Sequence, residues 1–103
     1  MGFKVKMNVL DMQEQAEIAS EFLKLLANPY RLLVLCHLLE GEKTVGALEE
    51  ELGLSQSALS QHLAKLRAHK ILCAQRQGQL VYYRIADQNV VRVLEVLHKC
   101  FCQ

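Results

Sequence analysis

Three residues, Gly53-Leu54-Ser55, separate two short stretches of helical periodicity, and this tight junction restricts the fold more than anything else in the chain. Before it, Thr44 opens a segment from Val45 to Leu52 with an acidic outer face of Glu49, Glu50 and Glu51. After it, Ser55 is placed to cap a helix from Gln56 to about His69, along which Leu59, Leu63 and Leu66 fall inward at i, i+4 and i+7. Helices joined by so few residues pack at a steep angle, in the form of a helix-turn-helix. Gly53 makes the turn. Gly46 and Ala47 are small enough to let the two helices approach, and Leu48, Leu52, Leu54, Leu59 and Leu63 are the expected shared core.

The flanking segments supply the rest of one domain, and a chain of 103 residues has room for no more than one, taken as residues 1–103. Val9 to Ala27 reads as a helix with Ala16, Ala19, Phe22, Leu23 and Leu26 at three- and four-residue steps. Asn28-Pro29 ends it and starts another, since Asn caps well and Pro suits the first helical position. That second helix runs through Leu39, apolar almost all round, and is expected to be the central core helix, closed by Gly41. Ile71 to Gln77 and Gln79 to Ile85 have strand composition and meet around Gly78 as a hairpin. Asp87 then caps a last helix to about Cys102, apolar over more than half its circumference. One of its faces is expected against the domain and another against a second copy. The fold class is mostly α with a small β-hairpin, in the order α-α-α-α-β-β-α.

Charge is informative only when split along the chain. Residues 1–54 carry five Lys/Arg against nine Asp/Glu, whereas residues 55–86 carry Lys65, Arg67, Lys70, Arg76 and Arg84 with no acid. Such a basic block in a chain of net charge +1 predicts a local face for a polyanion. No apolar run approaches the roughly 18–20 residues of a membrane span. Met1 to Met7 lacks a secretory apolar core, and Lys6 stands where a myristoylation signal has Ser or Thr. A cytoplasmic location is therefore expected, with Cys36, Cys73, Cys100 and Cys102 as thiols. An enzyme is not expected. Ser60 and His62 do not share a helix face, and no general base with an orienting third group is evident.

The helix that begins Ser55-Gln56-Ser57 and continues Ser60-Gln61-His62 presents short polar side chains at its N-terminal end, with Lys65 and Arg67 further along. Such a helix suits a major groove, where N-terminal N–H groups bind phosphates and Gln or Ser reads base edges. Arg76, Gln77, Gly78, Gln79 and Arg84 of the hairpin complete the expected contact set.

Along about residues 12–102 the chain resembles the ArsR-type (ArsR/SmtB) winged-helix transcriptional repressors. The likeness lies in Leu26-Ala27-Asn28-Pro29-Tyr30-Arg31-Leu32, Val45-Gly46-Ala47-Leu48, the run from Leu54 to Arg67, and Gly78-Gln79-Leu80-Val81-Tyr82-Tyr83-Arg84. Within that family it is most similar to the BigR/SqrR/HlyU-like branch, dimeric regulators of which several sense reactive sulfur or oxidants through two cysteines. The resemblance implies a homodimer built on the first and last helices, double-stranded DNA with an imperfect palindrome as partner, Ser55–Lys65 in the major groove, and the wing of residues 75–79 near the minor groove.

Cys36 and Cys102, 66 residues apart, match the sensing pair of that branch. The implied chemistry is attack by one thiolate on an oxidised or persulfidated sulfur and resolution by the second thiol. Cys73 reads as structural, and Cys100 points about 200° from Cys102 on a helix. The metal sites of the family find too few ligands. Thr44-Val45-Gly46-Ala47 offers none, and Asp87 with His98 alone does not close a zinc site. No metal and no cofactor are expected. A metal-responsive repressor and a winged-helix module that binds protein are the alternatives.

Overall fold

The computed structural model describes Gly2 and residues 6–102. The reading of Met1 to Met7 and the outer limits of the domain rest partly on Met1, Phe3, Lys4, Val5 and Gln103, which lie outside the described residues.

Five helices and three strands follow one another as α1 (Val9–Leu26), α2 (Pro29–Leu38), β1 (Lys43–Thr44), α3 (Val45–Leu52), α4 (Gln56–Ala68), β2 (Leu72–Gln77), β3 (Leu80–Ile85) and α5 (Gln88–Phe101). Side-chain caps set the helix starts where the sequence places them. Asn28 Oδ1 accepts the N–H groups of Tyr30 and Arg31 at 2.9 and 3.1 Å, Thr44 Oγ1 that of Ala47 at 3.2 Å, Ser55 Oγ that of Ala58 at 3.3 Å, and Asp87 Oδ1 that of Asn89 at 2.9 Å. Gly53 ends α3 at φ 67°, left-handed backbone that glycine adopts without strain.

The core joins α2 (Val34, Leu35, Leu38), α3 (Leu48), α4 (Leu59, Leu63, Leu66), the start of the hairpin (Ile71, Leu72) and α5 (Val90, Leu94). Leu52 and Leu54 pack against it from the turn. The sheet has the order β1-β3-β2, all antiparallel, with a two-residue turn at Gly78-Gln79 in which Gly78 sits at φ 65°. β1 is an element beyond the expected order. Lys43 and Thr44 carry no strand signal of their own and become a strand because Tyr83 and Tyr82 of β3 pair with them.

Two expectations are modified. α2 is not buried all round: Val34, Leu35 and Leu38 face the core, while Leu33, Cys36 and Leu39 are exposed. Gly46 is exposed and a Cβ added there would meet only Thr44 Oγ1, at 3.9 Å, so it marks no close helix approach.

α1 enters the core through its C-terminal end, and further back Gln15, Ile18 and Ala19 border a groove shared with Asp87, Asn89, Arg92 and Val93. Leu25 and Leu26 are buried and Phe22 packs on the core, whereas Val9, Leu10, Met12, Ile18 and Leu23 lie exposed. At 18 residues the helix is about 27 Å long. Its projection stretches the molecule to 52 × 31 × 21 Å with a radius of gyration of 15.7 Å, against about 13 Å for a compact chain of this length.

Candidate nucleic-acid interface and thiol pocket

The polar face of α4 points away from the core. Leu59, Leu63 and Leu66 are buried, and Ser55, Gln56, Ser57, Ser60, Gln61, Lys65 and Arg67 are all exposed. His62 is set apart from them. It is half-buried, and its ring lies 6.1 Å from that of Tyr30, tilted by 31°. Partial burial and the nearby Arg31 guanidinium both push its imidazole below the usual histidine range.

In the hairpin, Arg76, Gln77, Gly78 and Gln79 are exposed at or near the tip. Arg84 is exposed too, but it does not join them. Arg76 pairs with Val81 and Arg84 with Cys73. Residues directly paired share a sheet face and alternate along a strand, so Arg76 lies on the face of Val81 and Tyr83, and Arg84 on the opposite one. There Arg84 lines a groove with Leu38, Leu39, Glu42 and Val91.

Cys36 and Cys102 border the same pocket. Together with Leu32, Leu94, Leu97, His98 and Phe101 they line one apolar pocket of about 330 Å³ between α2 and α5. All four cysteines are free. Desolvation raises the Cys36 thiol above its ordinary pKa, and the neighbouring Cys102 raises it further. Cys100 is exposed and absent from that lining, and Cys73 is half-buried on β2. The rest of the pocket escaped the sequence reading, although its signal was present. Leu94, His98 and Cys102 recur at four-residue steps, as do Leu32 and Cys36.

Among the described residues, one group has metal-ligand spacing: His37, Glu40 and Glu51, whose ligand atoms lie within 4.8 Å of one another. Lys43 already fills it. The side chain is 18% exposed, its ammonium lies 2.8 Å from Glu51 Oε1 and 3.2 Å from Glu40 Oε1, and these hydrogen bonds raise its pKa. His37 Nδ1 is 3.6 Å from Glu51 Oε2. The group ties α2 to α3 through β1 as an ion-pair network. Asp87, weighed above as a metal ligand, is the N-cap of α5.

Residues 28–78 match the family described as "Bacterial regulatory protein, arsR family". The nodulation protein NolR of Rhizobium meliloti is 48% identical over 84% of this chain and 71% of its own length. The transcriptional activator HlyU of Vibrio cholerae is 42% identical over 94% of this chain and 90% of its own. The solved structure of the transcriptional repressor BigR from Xylella fastidiosa superposes with a TM-score of 0.90 at 35% identity, covering 94% of this chain and 99% of that one.

Proposed function

The chain belongs to the arsR family of bacterial regulatory proteins and is not an enzyme; from that footing we propose that it is a homodimeric repressor whose hold on DNA is loosened when Cys36 and Cys102 are linked. The whole chain acts as one winged helix-turn-helix domain. The observation that carries the regulatory reading is that Cys36 and Cys102 line one apolar pocket, despite their distance in sequence. That a relative has been solved as "Reduced HlyU" adds support.

Double-stranded DNA is the partner. Two α4 helices stand roughly 34–36 Å apart across the dimer and enter successive major grooves of an imperfect palindrome. Ser55, Gln56, Ser57, Ser60, Gln61 and His62 contact bases and backbone, and Lys65 and Arg67 bind phosphate. Arg76, Gln77, Gly78 and Gln79 of the wing lie near the minor groove, and Arg84 contributes charge from the other sheet face. The acid-free stretch of residues 55–86, doubled by symmetry, makes the affinity salt-dependent.

The linking step is a two-electron oxidation. With a peroxide, one thiolate attacks an oxygen, the O–O bond breaks, and a sulfenic acid forms with loss of water or alcohol. The second thiol then displaces water to give the disulfide. With a persulfide, the thiolate attacks the outer sulfur and releases the donor as a thiol. The second thiol attacks the protein-bound sulfur and expels hydrosulfide. A bridge that retains a sulfur forms when a further persulfide accepts the electron pair and leaves as thiol and hydrosulfide. In each case α2 becomes tied to α5, on whose outer face the partner subunit packs.

The test is fluorescence anisotropy on duplexes that the reduced protein selects from a randomised pool. The protein is used reduced and after treatment with polysulfide or hydrogen peroxide, and intact mass identifies the bridge. The expected loss of affinity is about 5- to 150-fold, the span of typical coupling energies. Cys36→Ser and Cys102→Ser should bind as the reduced protein does and ignore both reagents. Unchanged affinity with the bridge formed would reject the switch.

A further inference from the structure

Ser60, Gln61 and His62 are successive residues of α4, yet only His62 is withdrawn from solvent. At 100° per residue, Leu59, Leu63 and Leu66 cluster on one side of the helix and Ser57 and Gln61 lie opposite. His62 falls between, on the flank that faces the first turn of α2, where Tyr30 meets it. Tyr30 is 49% exposed and plays no part in the core. Its backbone is nonetheless fixed. Asn28 Oδ1 accepts its N–H, and the next residue, Arg31, donates from Nε to Leu25 O at 2.7 Å and from Nη2 to Lys24 O at 3.3 Å, locking the start of α2 to the end of α1. An aromatic ring carried on a fixed backbone at the edge of an exposed polar helix limits the conformations open to the imidazole beside it. When a helix lies in a major groove, its outward residues meet base edges and its flanks meet the sugar–phosphate walls.

We propose that Tyr30 is a positioning residue for DNA binding: its ring holds the His62 imidazole at the flank of α4, where the imidazole N–H donates to a phosphate oxygen of the groove wall. This rests on the reading of α4 as the groove-binding helix. Partial burial and Arg31 both disfavour the protonated form of His62, so the contact proposed is a directed hydrogen bond from the neutral ring. A directed bond depends on ring orientation, which is what Tyr30 supplies. The DNA-facing surface thereby extends beyond α4 and the wing onto the start of α2.

Two probes test this: a duplex that the wild-type chain selects from a randomised pool, and a scrambled duplex of the same composition. His62→Ala and Tyr30→Ala should each weaken binding to both by about tenfold or more, the scale of a lost hydrogen bond to a charged group. The dependence on salt should not change slope, because a neutral imidazole releases no counterion. Tyr30→Ala should cost nothing further in the His62→Ala background, and Tyr30→Phe should bind as wild type. In proton NMR the His62 ring resonances should carry a ring-current shift that Tyr30→Ala abolishes and Tyr30→Phe keeps. Additive losses, loss on the selected duplex alone, or His62 resonances indifferent to Tyr30→Ala would each overturn the assignment. A wild-type chain that binds neither duplex would overturn the DNA-binding reading with it; a wild-type chain that binds while Tyr30→Ala binds equally well overturns this inference only.

Discussion

Ile18 offers the sharpest test of the dimer. It stands on α1 beside the start of α5 and is 67% exposed in the single chain. A surface substitution in a monomer changes stability by no more than about 0.5 kcal/mol, and Ile18→Ala slightly favours the helix. If a second copy covers this face, the outcome differs. Complete burial of an isoleucine side chain is worth about 1.5–3 kcal/mol, so covering its exposed two-thirds is worth about 1–2. A two-fold interface holds the residue twice, which makes about 2–4 kcal/mol per dimer. That corresponds to dissociation about 30- to 900-fold more favourable in Ile18→Ala. Sedimentation velocity over a concentration series measures it, with circular dichroism to show an intact fold. An unchanged dissociation constant would refute the assignment of α1 to the interface, and a monomeric wild type would refute the dimer itself.

Two further outcomes follow from the geometry. The Cys36 thiol is raised by partial burial and then by Cys102, so its alkylation by iodoacetamide should keep accelerating with pH beyond the point where an ordinary thiol levels off. Cys102→Ser removes the repulsion between thiolates and should move that inflection to lower pH; a profile that stays put or moves up would contradict the pairing of the two sulfurs. Asn28→Ala leaves the Tyr30 and Arg31 N–H groups without their shared acceptor and should cost about 1–2 kcal/mol in urea unfolding, most of it recovered by Asn28→Asp.

The parts of the fold that depend on local chemistry were legible in the sequence. Asn28, Thr44, Ser55 and Asp87 each begin a helix because their side chains reach a nearby N–H, and the leucines of α4 face inward because their spacing fits one helical face. What failed depended on partners distant in the chain. Lys43-Thr44 is a strand only because β3 lies beside it. α2 looked like a helix buried all round because its outer apolar residues, among them Leu33 and Leu39, resemble inner ones when no second body is in view. The expectation that Cys36 and Cys102 pair rested on resemblance, since no spacing rule brings α2 to α5; the pocket they share is a property of the fold. Tyr30 was passed over for the same reason. Its tie to His62 arises where the first turn of α2 comes beside the flank of α4, and nothing in either segment announces that approach.

The two-residue strand has the furthest reach. By joining Lys43-Thr44 to Tyr83 and Tyr82, it rivets the wing to the segment that launches α3, and Leu66, Ile71 and Leu72 bond the other end of the hairpin to α4. α4 and the wing are thereby held as a single stiff jaw. In the proposed dimer, a bond between Cys36 and Cys102 falls outside that jaw and would find no pliable joint inside it to bend. It would alter the proposed grip only as one alters a calliper, by resetting the angle at which two rigid arms are hinged.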